Sequence, residues 1–347
     1  MTIASPALLT CLIGAALAQV ADPPRDSVTL QLENGGRFTH KCTILDYDGR
    51  EIRIRPESGR ELTFPAAQVV EVQTPWTNSH EQGRELFEKG RFDDAAEAFR
   101  TALAVEGSEP HREWVRREIL AELVRCALAT GDYAAARQRF DLLVAGDRHT
   151  RHFGLIPLEW GSTPLPDRDV NDARTLLEKT RDAARLMGAS VLLFDPKYGD
   201  RAEVELRKLL TSPDPHVAEL AAAQQWRTRR IESNQGPDHL EDWQRRIEAL
   251  PAELRGGPYY VLGRACFDRR EYDRAATFLL WLPLVSPSDA HLAARAGVEA
   301  AEALALIGQK TEAIRVCHDV LRRFAHTPFA QDAQALLDSW KTEGNAP

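Results

Sequence analysis

Residues 83–102 read GRELFEKGRFDDAAEAFRTA and describe two short helices joined by a tight bend. Gly83 is a small residue that lets one helix approach its partner, and Lys89-Gly90-Arg91 supplies the bend. After the bend, apolar residues recur at helical spacing, so that they share one face of the second helix. These residues are Phe92, Ala95, Phe99 and Ala102. The pattern predicts a helical hairpin over residues 79–105, with a capping-box-like start at Asn78 and Glu81.

The same pattern occurs three more times along the chain. The second hairpin carries it in Leu120, Leu123, Gly131, Tyr133, Ala136, Phe140 and Leu143. The third carries it in Leu262, Gly263, Tyr272, Ala275, Leu279, Leu282 and Pro287. The fourth carries it in Ala301, Leu304, Gly308, Ala313, Cys317 and Val320, and a closing helix follows through Trp340. These hairpins resemble the tetratricopeptide repeat (TPR), whose units stack into an α-solenoid and usually bind other proteins.

Two glycines are expected to mark the closest approach of paired helices. Gly83 and Gly263 occupy the small-residue position of the first and third hairpins. We therefore expect each to pack tightly against the second helix of its own hairpin. Between the first and second hairpins, residues 107–110 (GSEP) are expected to form an extended linker.

Before the helices, residues 27–74 alternate with period two and contain β-branched residues and turn signals. Asn34-Gly35-Gly36 is a strong hairpin turn between the first two runs. Five short strands in so few residues bury their apolar faces best by curling into a small barrel. The run resembles SH3-like or Sm-like barrels in pattern only, so no peptide or RNA binding is carried over from them. The period changes at Pro75-Trp76, and every later element is predicted to be helical.

Residues 146–169 form a long segment rich in Pro and Gly, and its apolar residues are expected to pack onto neighbouring helices. These residues are Phe153, Leu155, Ile156, Leu158 and Trp160. Helices are predicted over 172–187, 189–194 and 201–210. The turn and helix that begin at Ser212 resemble one HEAT-type repeat, with Val217, Leu220 and Ala221 on the apolar face.

The first residues carry the features of a secretory signal peptide. Residues 7–17 are apolar and uncharged, and Ala16-Leu17-Ala18 is a small-x-small cleavage site, so the mature protein is expected to begin near Gln19. The apolar run is too short to span a bilayer. We predict export to the periplasm or cell envelope, with no integral membrane segment after signal cleavage.

The predicted fold is mainly α, a TPR-type α-solenoid of helical hairpins preceded by a small five-stranded SH3-like/Sm-like β-barrel. The predicted parts are a signal peptide (1–21), the barrel (26–75), a TPR pair (76–145), a loop with a helical HEAT-like insert (146–250) and a TPR pair with a closing helix (251–347).

No motif in the 347 residues requires catalysis. The chain has no nucleophile elbow, phosphate-binding loop or dinucleotide fingerprint. His149 and His152 lack the i, i+4 spacing of helical metal ligands, and a surface or packing role is preferred to a metal site. Cys42, Cys126, Cys266 and Cys317 are predicted to be free core residues, with a Cys266–Cys317 disulfide as the alternative. A net charge of -8 gives no general attraction to nucleic acid. We predict no catalytic, cofactor or metal site.

The TPR resemblance implies that the first helix of each hairpin lines a concave groove. On that register Arg84, Arg125 and Arg264 take equivalent positions, and guanidinium groups can pair with carboxylates of a protein partner. The residues expected beside them are His80, Phe87, Leu128, Tyr260 and Phe267. The long insert is expected to place Arg84 and Arg125 in one groove and Arg264 in another.

Two functions remain open from the sequence. The first is a non-enzymatic exported scaffold or adaptor that binds protein partners through TPR surfaces, in cell-envelope assembly. The alternative is an enzyme-associated module, or one that binds envelope carbohydrate polymer, through the N-terminal barrel.

Overall fold

A computed structural model describes residues 26–32, 35–106, 112–162, 165–229 and 238–344. The predicted signal peptide, Asn34 and the predicted linker at 107–110 lie outside the described residues.

Five short strands precede the helices, as the period-two pattern predicts. They are β1 (Asp26–Gln31), β2 (Arg37–Tyr47), β3 (Glu51–Pro56), β4 (Leu62–Pro65) and β5 (Val69–Gln73). All pairings are antiparallel, and the strand order is β4-β3-β2-β1-β5. Alternate residues point inward and form an apolar core face of Val28, Leu30, Cys42, Ile44, Ile52 and Ile54. The five-stranded sheet is confirmed, and its closure into a barrel stays a prediction.

After β5, the described part of the chain contains helices and no further strand. The helices are α1 (Asn78–Glu88), α2 (Phe92–Glu106), α3 (Glu113–Thr130), α4 (Tyr133–Gly146), α5 (Asp167–Leu177), α6 (Asp182–Leu192), α7 (Gly199–Leu209), α8 (Pro215–Arg229), α9 (Asp238–Ala249), α10 (Gly256–Asp268), α11 (Tyr272–Val285), α12 (Ala290–Leu306), α13 (Lys310–Arg323) and α14 (Phe329–Gly344). The pairs α1/α2, α3/α4, α10/α11 and α12/α13 are the four predicted hairpins, and α14 is the predicted closing helix.

The two predicted close-approach glycines lie against the second helices of their hairpins. A Cβ added to Gly83 would lie 2.7 Å from a ring carbon of Phe99 in α2. A Cβ added to Gly263 would lie 2.7 Å from Cγ of Leu279 in α11. Both contacts confirm the hairpin register that the sequence predicts.

Two details of the helix prediction are wrong. The cap of α1 is Thr77, whose side-chain oxygen accepts a hydrogen bond from the His80 backbone N–H, so the capping residue precedes Asn78 by one position. The predicted helix over 172–187 is two helices, α5 and α6, which fold back on each other, and α6 continues to Leu192 through most of the separate helix predicted over 189–194. Gly188 makes this fifth hairpin possible, because a Cβ there would lie 2.6 Å from the Ala173 carbonyl oxygen.

Three apolar clusters run through the molecule. The first joins the inner face of the sheet to α2 and α3 through residues such as Ile54, Phe99 and Trp114. The second fills the region from α3 to α8, and the third fills the region from α8 to α14. Since the first cluster includes both strands and helices, the predicted boundary at residue 75 falls inside a continuous core.

The four described cysteines are all buried and unpaired, so the disulfide alternative is not realised in the structure. Burial raises the pKa of the Cys42, Cys126 and Cys266 thiols to about 12. These thiols therefore pack as small apolar groups.

Candidate functional site

The structure buries three of the eight predicted groove residues. His80, Leu128 and Tyr260 are almost fully inaccessible to solvent. The His80 ring stacks on Trp76 with a centroid distance of 4.0 Å, and burial, together with the Arg84 charge, lowers its pKa to about 4. His80 is therefore a neutral core residue rather than a groove contact.

Leu128 and Tyr260 are buried because the chain's own residues 153–162, here called the central segment, lie against the inner faces of the helices. One small cavity of about 60 Å³ is lined by Leu128 of α3, Leu220 of α8, Leu292 of α12 and residues of this segment. The expectation that the apolar residues after Gly146 pack onto helices is confirmed for Phe153, Leu155 and Leu158, which are buried.

Polar side chains of α8 fix the backbone of the central segment. Gln224 in α8 donates its side-chain amide to the Glu159 carbonyl at 3.1 Å. The Arg227 guanidinium, buried in the same helix, donates to the Gly161 carbonyl at 3.0 Å and to the Ser190 carbonyl at 2.7 Å. The segment has no regular secondary structure from Ile156 to Gly161, so these side chains provide partners that a helix or strand would otherwise supply.

Trp160 anchors the segment between the second and third apolar clusters. Its indole ring lies directly against Gly257 at the start of α10, and a Cβ on Gly257 would overlap the ring. In this position the indole covers the surface of α10 around Gly257, against which a partner peptide in the predicted groove would pack. The central part of the predicted groove is thus occupied by this chain.

Beside Trp160, two arginines converge on one carboxylate. Glu299 of α12 accepts hydrogen bonds from the Tyr260 hydroxyl at 3.0 Å and from Arg295 at 3.1 Å. The Arg264 guanidinium lies 3.6 Å from the other Glu299 oxygen and over the Phe267 ring at 4.9 Å. A cavity of about 30 Å³ remains here, which is room for about one water molecule. Arg264 is therefore part of an internal ion-pair network.

The remaining predicted groove residues are accessible. Arg84 is exposed, and among the described residues it has no hydrogen bond or ion pair. Arg125 is half-buried and pairs with Glu122 at 2.8 Å. The Phe87 ring lies edge-on to Phe92 at 5.1 Å, and Phe92 in turn contacts His326 before α14. Binding of a partner by these residues stays a prediction.

The insert does not hold the two TPR pairs apart. The Tyr133 hydroxyl at the start of α4 donates to the Asp289 carboxylate at the start of α12, at 2.8 Å. A Cβ on Gly131 would lie 2.5 Å from the His291 ring. The solenoid therefore turns back on itself, and its second and fourth hairpins touch.

The two histidines of the 149–152 segment have packing roles. The His149 carbonyl accepts a hydrogen bond from the Gly49 N–H and so ties the sheet to the helices. His152 Nε2 lies 2.9 Å from a Glu118 oxygen. Although burial acts to raise it, the contacts with His152 and Arg151 lower the pKa of Glu118 to about 2. Within the described ranges, no group of three or more His, Cys, Asp or Glu side chains could hold a metal ion.

None of the described helices combines the length and the apolar character needed to cross a membrane.

Comparison with known proteins supports the repeat assignment. A family described as tetratricopeptide repeat matches residues 86–155, from α1 through α4 into the central segment. Comparison with curated proteins found no match. The matched residues include Arg125 and Leu128, which the sequence pattern placed on the repeat surface. Residues 86–155 thus match the TPR, a family of units that typically act as protein-interaction modules.

Proposed function

We propose that this protein is an exported, non-enzymatic scaffold that binds protein partners through its first TPR pair and serves in cell-envelope assembly. The observation that carries the proposal is the TPR match over α1 to α4, combined with the stacking of these helices. The apolar run before Gln19 supports export.

The proposed contact surface lies on α1 and α3, because the central segment already occupies the inner faces near Leu128 and Tyr260. α1 and α3 both pack against α2, and the Glu118 charge on α3 acts on the His80 ring on α1. Arg84 follows His80 by one helical turn, and Arg125 follows Glu118 by two turns. Both guanidinium groups are therefore expected on the same side of the TPR pair, with Phe87 beside them.

The test is a double substitution, Arg84→Ala with Arg125→Ala. The partner is first captured by crosslinking in envelope extract of the source cells, identified and purified. Its dissociation constant for the double variant should then rise, and the wild-type affinity should fall with added salt, since charge-assisted contacts are screened. Unchanged thermal stability would show that the fold is intact.

The matched control is Arg201→Ala with Arg245→Ala, because both side chains are largely exposed on other helices. This control should bind as the wild type does. If the Arg84/Arg125 variant also binds unchanged, the proposed surface is wrong and the sheet becomes the better candidate.

A second candidate function uses the sheet to bind envelope carbohydrate polymer. Phe38, His40 and Phe64 form a ring cluster, with centroid distances of 4.6 and 5.5 Å, and Phe38 is exposed. Exposed aromatic rings offer stacking faces to sugars. Cosedimentation with insoluble cell-wall polymer should be lost in Phe38→Ala if this candidate is right, and should be absent in the wild type if it is wrong.

Export is tested separately by N-terminal sequencing of protein made in its own host. A mature terminus near Gln19 is expected. An intact Met1 on soluble cytoplasmic protein would overturn the export proposal and leave the protein-binding proposal standing.

A further inference from the structure

A second groove lies between α11 and α13, on the outer side of the last repeats. It encloses about 620 Å³, and we call it the α11–α13 groove. Its apolar lining residues are Leu280, Pro283, Leu284, Val316 and Val320. On each helix these residues recur three or four positions apart, so they form a continuous stripe along one face.

The α11 stripe borders the core, since Pro283 is buried and Leu280 packs against the third apolar cluster. Phe278, Leu279 and Leu282 are buried within the third apolar cluster. Leu284, by contrast, is 66% exposed, and Val285 beside it is also exposed. Leu284 is therefore mostly open to solvent.

The rim of the groove is positively charged. Asp319 accepts hydrogen bonds from both Arg322 and Arg323, at 2.6 and 3.0 Å, so one carboxylate serves two guanidinium groups. Arg315 lies 3.8 Å from Glu312, and this pair is largely exposed. The lining therefore holds three arginines and one carboxylate, in a chain whose net charge is -8.

We propose that the α11–α13 groove binds an acidic amphipathic helix of a partner protein. A helix laid between two helices presents apolar side chains at i, i+3 or i+4, and i+7 to such a stripe. Carboxylates on its flanks would meet Arg315 and Arg322, whose side chains are 75% and 78% exposed. The lining spans positions 280–284 of α11 and 315–323 of α13, roughly 13 Å along α13, which is about the span of positions i to i+7 of a helix.

This surface is distinct from the one on α1 and α3. The proposal uses other residues on the last repeats and does not depend on Arg84 or Arg125. If the test of one surface contradicts its proposal, the proposal for the other surface is unaffected.

The experiment uses the full chain and synthetic helical peptides as probes. One peptide of about 15 residues carries Leu at i, i+3, i+4 and i+7 with Glu on the flanks, and a matched peptide carries Lys in place of Glu. Fluorescence anisotropy should show binding of the Glu peptide and at least roughly tenfold weaker binding of the Lys peptide. Equal binding of both peptides, or no binding of the Glu peptide, would overturn the proposal.

Two variants locate the binding on the protein. Leu284→Asp should weaken binding of the Glu peptide about tenfold or more. The double variant Arg315→Glu with Arg322→Glu should weaken binding of the Glu peptide and strengthen binding of the Lys peptide. A misfolded protein would not show this reversal of preference. The matched controls are Leu142→Asp, a leucine 60% exposed on α4, and Arg245→Glu, an arginine 76% exposed on α9. Both controls should bind as the wild type does.

A different occupant would also be visible in these measurements. If the wild type sediments as a dimer and Leu284→Asp sediments as a monomer, the groove is covered by a second copy of this chain. That outcome would overturn the assignment to an acidic partner helix.

Discussion

Asp289 lies at the contact where the solenoid returns onto itself, and its protonation is affected by that contact. Its side chain accepts a hydrogen bond from the Leu292 N–H and caps α12, and it also accepts one from the Tyr133 hydroxyl. Burial raises the pKa of Asp289 to about 6, and the Glu159 charge acts in the same direction, while the two hydrogen bonds act against them. The charged form is therefore disfavoured at the contact between the two TPR pairs.

This shift predicts a pH dependence of stability. The folded protein holds the Asp289 proton at pH values where the unfolded chain has lost it, so the free energy of unfolding falls as pH rises from about 4 to about 6. Asp289→Asn removes the titration and keeps a hydrogen-bond acceptor. Between pH 4 and pH 7 the free energy of unfolding of Asp289→Asn should therefore rise relative to that of the wild type by up to about 3 kcal/mol. Urea denaturation across this range measures it, and a constant difference would contradict the prediction.

Gly263 gives the second prediction at the residue scale. A larger side chain there would push Leu279 and separate α10 from α11. Gly263→Leu should lower the free energy of unfolding by about 1–3 kcal/mol through overpacking. Gly146→Leu is the control, because the nearest atom to a Cβ there is 3.9 Å away. Equal melting temperatures for Gly263→Leu and the wild type would show that this contact is not needed.

Among the elements, the central segment has the largest effect on where a partner can bind. It covers the inner faces of α3, α8, α10 and α12 and leaves the outer surfaces open. Binding sites on this solenoid are therefore expected on exposed helix faces such as those of α1 and α3, or of α11 and α13.

A double-mutant cycle tests how tightly the segment is fitted. Gly257→Ala should destabilise the protein by about 1–3 kcal/mol, since its Cβ overlaps the Trp160 indole. In a Trp160→Ala background the same substitution should cost little, because the ring is gone. Chemical denaturation of the four proteins gives the coupling free energy. If the two substitutions lower the free energy of unfolding additively, the proposed tight fit between Gly257 and Trp160 is contradicted.

The hairpins could be predicted from the sequence because their signals are local. Gly83, Phe99 and Ala102 lie within one helical pair, and helical periodicity is enough to place them. The break between α5 and α6 was missed because the residues around Glu178 are polar and compatible with a continuous helix. The available signal was the small residue Gly188, which the structure places against the Ala173 carbonyl.

The candidate site was less predictable for a different reason. Leu128 and Tyr260 have the correct repeat positions for a groove, and only the path of residues 153–162 decides whether they are accessible. That path depends on Trp160 meeting Gly257, far away in sequence, and no local pattern reports such a contact. The sequence shows that the segment is apolar enough to pack onto helices, but it does not show which helices the segment contacts.

At the scale of the whole molecule, the second and fourth hairpins are joined. In a linear solenoid each repeat contacts only its neighbours, and stability is a sum of local terms. Here Tyr133 and Asp289 are bonded across 156 positions, and the sheet shares a core with α2 and α3. Such contacts couple distant repeats.

The coupling predicts a single unfolding transition for the wild type. Helical circular dichroism and tryptophan fluorescence should change together in urea. Tyr133→Phe removes the hydroxyl that donates to Asp289, and it should lower the free energy of unfolding by about 1–3 kcal/mol. Two separated transitions in the wild type would show that the repeats unfold independently despite the contact.

The position of Trp160 also matters while the chain is being made. The ribosome produces Trp160 97 residues before Gly257 (257 − 160), the glycine against which it finally packs. At about 5–20 residues per second, the apolar segment waits roughly 5–20 s for α10 to be synthesised. During that interval Trp160 and its neighbours lack their final cover, so the nascent chain is an expected client of chaperones at this stage.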